Sequence, residues 1–186
     1  PLTAYALSKA IAEKGIWQLK DNNFCPTIMR NATVYGLSPS MRLDLVVNNL
    51  VALGMLTGKI SIMSDGTPWR PLIHIDDLCQ AFQVILNAAE ERVTGQIFNI
   101  GLSAENWRIR EIGEQVSQEL FNCKMEILNK TSGDDRSYSV SFYKFQNTFR
   151  EFKPKWNLRL GVKDLIAGYI RYGLTKEDLE GSKYFR

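Results

Sequence analysis

The chain has 186 residues, 45% of them hydrophobic and 23% charged, with a net charge of +3, a balance that suits one globular domain or a large part of one. No apolar run reaches the roughly eighteen residues that a membrane-spanning helix needs, and no basic start leads into an apolar stretch, so neither a membrane span nor a signal peptide is expected. Basic and acidic residues are interspersed, without the basic stripe and interleaved aromatics that nucleic-acid binding calls for, which excludes that class.

The chain opens at Pro1-Leu2-Thr3 rather than at a methionine, as if entering the middle of a longer pattern. Ala4, Leu7 and Ile11 recur at helical spacing and predict a helix from Thr3 to about Leu19. Asp21-Asn22-Asn23 reads as a turn and Phe24 to Arg30 as a buried strand, with Val34-Tyr35-Gly36 closing into a loop that includes Pro39. Leu43 to about Leu56 is apolar nearly all round and predicts a buried helix. Ile60–Met63 and Leu72–Ile75 read as short strands on either side of the Asp65-Gly66-Thr67-Pro68 turn. Asp76 is the expected N-cap of a helix carrying Leu78, Ala81, Phe82, Ile85 and Leu86. A strand over Gln96–Ile100 ends at Gly101. Ile109, Ile112, Val116 and Leu120 mark a helix, and Met125–Leu128 a strand. Phe145, Phe149 and Phe152 mark a short helix, and Val162, Leu165, Ile166, Tyr169 and Ile170 the last one. A loose, charged tail is expected from Thr175. Alternating strands and helices argue for an α/β architecture.

Cys25, Cys79 and Cys123 have no metal-ligand spacing, and their odd number argues against a disulfide framework. They read as buried free thiols in a reducing cytoplasm. His74 is the single histidine, so no metal site is expected. The sequons at Asn31 and Asn129 read as chance matches.

Tyr5 and Lys9 form a Tyr-x-x-x-Lys pair on one face of the first predicted helix. A tyrosine hydroxyl ordinarily ionises near pH 10, and an adjacent ammonium favours the phenolate, so such a pair can move a proton on and off a substrate hydroxyl. A partly buried tyrosine beside a surface lysine would look the same. Tyr172 and Lys176 repeat the spacing, but Gly173 interrupts them, and they read as the chance copy.

The order of the motifs along the chain decides between these readings. Tyr5-Ala6-Leu7-Ser8-Lys9 is followed by Arg30-Asn31-Ala32-Thr33-Val34-Tyr35-Gly36. Next come Asp65-Gly66 with Arg70, His74 and Asp77, and then Phe98-Asn99-Ile100-Gly101. Over about residues 3–170 this resembles the extended short-chain dehydrogenase/reductase family, specifically its NAD-dependent sugar-nucleotide epimerases and dehydratases.

The resemblance implies the C-terminal part of a Rossmann-like parallel sheet plus a smaller substrate-binding α/β region, with the N-terminal dinucleotide-binding half absent. On this expectation residues 1–37 and 72–101 are remnants of the Rossmann core, 38–71 and 102–173 form the substrate-binding region, and 174–186 are a tail. Tyr5 would be the catalytic acid/base, and Lys9 would hold the nicotinamide ribose of NAD or NADP. Asn31 and Ala32 would also meet the cofactor. Thr33 stands where many relatives carry a substrate-touching asparagine. Arg70 matches the arginine that grips the substrate diphosphate, which suits a guanidinium fork. Relatives often carry an arginine before a Gly-Asp pair. Here Gly133-Asp134 follows Thr131-Ser132, and Arg136 would substitute from the other side. Arg42 would face the nucleotide or the sugar, or else solvent. His74 is expected to be structural, and Asp77 to order the local loop and helix start.

No glycine-rich phosphate turn occurs in the chain, so a fragment inactive by itself and binding no cofactor alone is expected. The expected partners are a nucleotide-diphosphate sugar and a second copy of the chain, through the Tyr-x-x-x-Lys helix, with no nucleic acid or membrane. A non-catalytic nucleotide-sugar-binding or dimerising module is the alternative. An α/β interaction domain with coincidental motifs is the third possibility, and it predicts no binding of either ligand.

Overall fold

The computed structural model describes residues 3–130, 136–181 and 184. Helix α1 (Ala4–Gln18) starts where Thr3 Oγ1 accepts the Ala6 N–H. Strand β1 is Ile28–Asn31, shorter and later than the expected 24–30. Pro26 has no N–H for a ladder, so the preceding residues stay irregular. The segment Thr33–Tyr35, expected to be loop, is strand β2.

Helix α2 (Val46–Thr57) ends at Gly58 with φ 70°, a left-handed cap that glycine adopts freely, and β3 (Lys59–Ile62) follows. Strand β4 (Trp69–His74) leads directly into α3 (Ile75–Leu86). The N-cap of α3 is His74 and not Asp76: the imidazole Nδ1 accepts the Asp76 N–H at 3.3 Å, and Asp76 and Asp77 fall inside the first turn, where their charge suits the helix dipole. A short helix α4 (Glu90–Val93) and strand β5 (Ile97–Ile100) come next. A 3-10 turn (Ser103–Glu105), β6 (Asn106–Arg108), α5 (Ile109–Glu119) and β7 (Lys124–Ile127) follow. Helices α6 (Tyr143–Thr148), α7 (Leu158–Tyr172) and α8 (Lys176–Glu180) complete the order. Gly173 separates Tyr172 from Lys176 in a left-handed cap, which puts this second pair on two different helices.

The strand pairs are mainly parallel: β1 with β5, β2 with β4 and β3 with β7, while β6 adds antiparallel to β4. This is an α/β, partial Rossmann-like arrangement. Two apolar clusters hold it. One joins α2, β3, α5 and α7 through fully buried residues such as Leu43, Val51, Ile60, Ile112 and Leu165. The other joins β5 and α3 to the phenylalanines of 142–152, where Phe98, Phe145 and Phe149 meet with ring centroids 5.1–5.9 Å apart.

The connection into α7 is held by buried side chains. Asp77, 2% exposed, accepts the N–H groups of Lys155 and Trp156, and Glu105 accepts those of Leu158 and the Trp107 indole. Asp77 therefore orders a segment far away in sequence and not only its own loop. The described part of the tail is docked and not loose, because Leu174, Leu179 and Tyr184 pack on the first cluster.

Candidate functional site

A cleft of about 1230 Å³ opens between the ends of β2 and β3 and the loop after β2. Of the expected site residues, Tyr5, Thr33, Arg42, Arg70 and Arg136 all line it. These positions lie up to 131 apart in the chain, and the fold brings them to one wall system.

Tyr5 lies on α1 and is 69% exposed, so its hydroxyl is accessible to a ligand in the cleft. Lys9, one turn later, places its Nζ 5.4 Å from the centroid of the Tyr5 ring, so the pair shares one face as its spacing predicts. Lys9, Asn31 and Ala32 are not among the cleft-lining residues. Asn31 ends β1 beside Ile100 of β5, and the buried Ala32 donates its N–H to the Ile100 carbonyl at 2.8 Å. Ligands of open parallel sheets gather at such carboxyl ends of strands.

The charged side chains on the cleft wall are three guanidinium groups, Arg42, Arg70 and Arg136, against one carboxylate, Asp44. Arg42 is bidentate to Asp44, at 3.0 and 2.5 Å. That bond holds the Arg42 guanidinium above its ordinary range, with a smaller contribution from Tyr5. Arg70 Nη1 donates to the Trp69 carbonyl at 2.9 Å and to the Arg136 carbonyl, and its guanidinium lies 5.9 Å from the Tyr138 ring centroid. Arg70 is thus oriented by backbone acceptors, and Arg136 is brought beside it. Such a cluster is complementary to a diphosphate. Thr131, Ser132 and the Gly133-Asp134 pair lie outside the described residues.

The loop after β2 depends on a glycine. Gly36 has φ 115°, and a Cβ there would meet the His74 Nε2 at 2.7 Å. His74 is buried, stacks on Trp156 at 3.9 Å, and meets the Tyr35 ring edge-on. Burial pushes its pKa down, against the pull of Asp76, Asp164 and Asp77. Burial, with Glu105 and Asp77 nearby, pushes the Tyr35 hydroxyl up, which makes it a packing group and not a base at neutral pH.

Two contributions were not read from the sequence. Asn48, 2% exposed, accepts the Gly36 N–H at 3.0 Å and donates to the Arg42 carbonyl at 2.9 Å, which sets both ends of the loop. The only signal for it was a pair of asparagines in an otherwise apolar helix. Tyr138 lines the cleft from a stretch with no periodicity, and nothing local announced it. Among the described residues no three His, Cys, Asp or Glu side chains gather as metal ligands.

The model of the NAD dependent epimerase/dehydratase family matches residues 1–101, more than half of the chain. The chain belongs to this family. Among relatives of the epimerase/dehydratase chain is a trifunctional UDP-glucose 4,6-dehydratase/UDP-4-keto-6-deoxy-D-glucose 3,5-epimerase/UDP-4-keto-L-rhamnose-reductase of Arabidopsis thaliana. It is 28% identical over 98% of this chain and 27% of its own length. The low-salt glycan biosynthesis protein Agl12 of Haloferax volcanii is 20% identical over 91% of this chain and 53% of its own. In fold the chain is similar to dTDP-glucose 4,6-dehydratase of Bacillus anthracis, solved with NAD (TM-score 0.78, 23% identity, 95% of this chain, 55% of that one). It is also similar to UDP-glucuronic acid 4-epimerase of Bacillus cereus, solved with UDP-glucuronic acid and NAD (TM-score 0.74, 24% identity, 92% and 54%). The epimerase/dehydratase chain therefore spans between about a quarter and just over half of the length of these relatives.

Proposed function

We propose that this chain is the nucleotide-sugar-binding part of an NAD(P)-dependent sugar-nucleotide epimerase or dehydratase, and that it is inactive by itself. The observation that carries this reading is the meeting of Tyr5, Thr33, Arg42, Arg70 and Arg136 on one cleft. Arg70 and Arg136 take the diphosphate, Arg42 exchanges its Asp44 partner for it, and Thr33 meets the sugar. Tyr5 takes a proton from a sugar hydroxyl and returns it. When bound, NAD or NADP supplies the hydride acceptor and donor. Asn31 and Ala32 at the ends of paired parallel strands, with Lys9, suit its nicotinamide-ribose end, whereas the chain has no glycine-rich turn for its pyrophosphate. That mismatch supports a chain that binds sugar nucleotide without turning it over.

A division into Rossmann-core segments (1–37, 72–101) and a substrate-binding region (38–71, 102–173) is part of this reading. The solved relatives with UDP-glucuronic acid or NAD bound support the ligand classes. No helix of the described residues is long and apolar enough to cross a membrane. Cys25, Cys79 and Cys123 are free but not buried as expected, with Cys79 exposed, and free thiols suit a cytoplasmic place. Leu7, Ile11 and Trp17 lie exposed on α1, and this favours the second reading, in which the chain serves as a dimerising, nucleotide-sugar-binding module.

The test is calorimetry of the chain with UDP-, dTDP-, GDP- and CDP-glucose, beside Arg70→Ala. Binding that Arg70→Ala weakens by roughly tenfold or more, the loss of a charge-assisted hydrogen bond, supports the reading. Equal affinity for both proteins removes Arg70 from the site, and no binding of any of the four by the wild-type chain removes the reading.

A further inference from the structure

The segment 37–43 that follows β2 is a partition. Its front, through Ser38, Pro39, Ser40 and Arg42, lines the cleft. Behind Leu37, Ser38, Pro39 and Met41 lies a second hollow of about 480 Å³, closed at the back by Tyr169, Leu174 and Tyr184. Leu37, Met41 and Leu43 pack on the first cluster, while Ser38 and Pro39 border space on both sides, where a gap leaves atoms without partners.

Its ends are set by hydrogen bonds. Helix α2 takes the carbonyls, through Asn48 Nδ2 to Arg42 and Asn49 Nδ2 to Leu43, each at 2.9 Å. The tail takes the amide: Leu43 N–H donates to the Tyr184 carbonyl at 2.8 Å. Leu43 is fully buried, so this amide needs a protein partner. Helix α8 precedes that partner in the chain. Thr175 and Asp178 cap its start reciprocally, and Leu179 and Tyr184 pack on the same cluster as Leu37, Met41 and Leu43.

We propose that α8 and Tyr184 form a latch that holds residues 37–43 against the cleft, so that the C-terminal tail tunes how tightly the cleft holds its ligand. Release of Tyr184 frees the Leu43 amide and lets the partition retreat into the hollow, which withdraws Arg42 from the cleft wall. The effect on ligand rests on the nucleotide-sugar reading of the cleft, whereas the hold on the segment does not.

The experiment compares the full chain, a chain ending at Gly181, Tyr184→Ala and Tyr184→Phe by hydrogen-exchange mass spectrometry and by calorimetry with the four nucleotide glucoses. In the shortened chain, amides of 37–43 should exchange roughly tenfold faster, as loss of one buried hydrogen bond gives, while those of β3 and β7 stay unchanged. Affinity should weaken by a similar factor. Tyr184→Ala should show a smaller effect of the same sign, and Tyr184→Phe, which keeps ring and carbonyl, should stay nearer to the wild type than Tyr184→Ala. If the shortened chain does not fold, the contrast between Tyr184→Ala and Tyr184→Phe decides. Unchanged exchange at 37–43 overturns the latch, and faster exchange with unchanged affinity overturns its role in tuning. A wild-type chain that binds none of the four ligands strikes the reading of the cleft and with it the tuning, while the exchange comparison still decides the latch.

Discussion

Helices α1 and α7 are both fifteen residues long, yet they sit in opposite environments. None of the residues of α1 is buried, and Leu7, Ile11, Trp17 and Leu19 stand exposed. Helix α7 buries Leu158, Gly161, Val162, Leu165, Gly168 and Tyr169 in the first cluster. Helix α1 carries Tyr5 and Lys9, while α7 carries none of the proposed chemistry. Helical spacing of apolar residues therefore reveals a helix but not whether anything packs on it. The proposed chemistry sits on the element whose apolar side chains the described residues leave uncovered.

The sharpest way to break that contrast is a matched pair of truncations. Leu165→Ala removes a fully buried side chain and should cost about 2–5 kcal/mol in urea unfolding. Ile11→Ala on the exposed face of α1 should stay within about 0.5 kcal/mol. A comparable loss at both sites would mean that α1 is packed in solution. The next effect concerns how α7 is entered. Glu105→Ala leaves the Leu158 N–H and the Trp107 indole without an acceptor and should cost about 1–3 kcal/mol, read from the same unfolding curves.

A pH effect of intermediate size arises from His74, which packs between β2, α3 and the α7 entry. Burial lowers its folded-state pKa, so the unfolded chain binds more protons on the acid side. Its contribution to stability is present above the unfolded value of about 6.5 and is lost as pH falls through the folded value. Glu105, raised by burial, acts in the opposite direction, losing stability as pH rises above its ordinary range. Thermal unfolding between pH 8 and pH 5 should therefore show a steeper acid-side decline for wild type than for His74→Phe, which is uniformly less stable for want of the cap. Parallel curves would remove His74 as the source.

The smallest effect concerns the ion pair that ties α1 to β1. Arg30 and Glu13 make a bidentate bond, and Arg30 holds the Glu13 carboxyl below its usual range. The pair is largely exposed, so Glu13→Ala should cost under about 1 kcal/mol globally. Exchange of the α1 amides should nevertheless accelerate, because the helix has no buried anchor of its own. Unchanged α1 exchange would mean that another contact holds the helix.

The elements were legible where the local pattern carries its own physics. Thr3 caps α1, and Ile109, Ile112 and Val116 face the core as their spacing requires. Two of the misreadings fell where the placement of a strand decides. Thr33–Tyr35 is a strand because β4 lies beside it. His74 displaces Asp76 as a cap because the end of β4 aims the imidazole at the first turn.

For the site, the order of short motifs was enough to single out Tyr5, Thr33 and Arg70, since each motif carries its residue types in one short run. Sequence alone thus determined the alternation of elements, the family resemblance and the choice of candidate site residues. Tertiary structure alone decided that Arg42 and Arg136 share a wall with Tyr5, that Asn48 sets the loop between them, and that the tail grips that loop. Those relations depend on contacts between residues tens to more than a hundred positions apart, and no local periodicity encodes which buried N–H a remote carbonyl will meet.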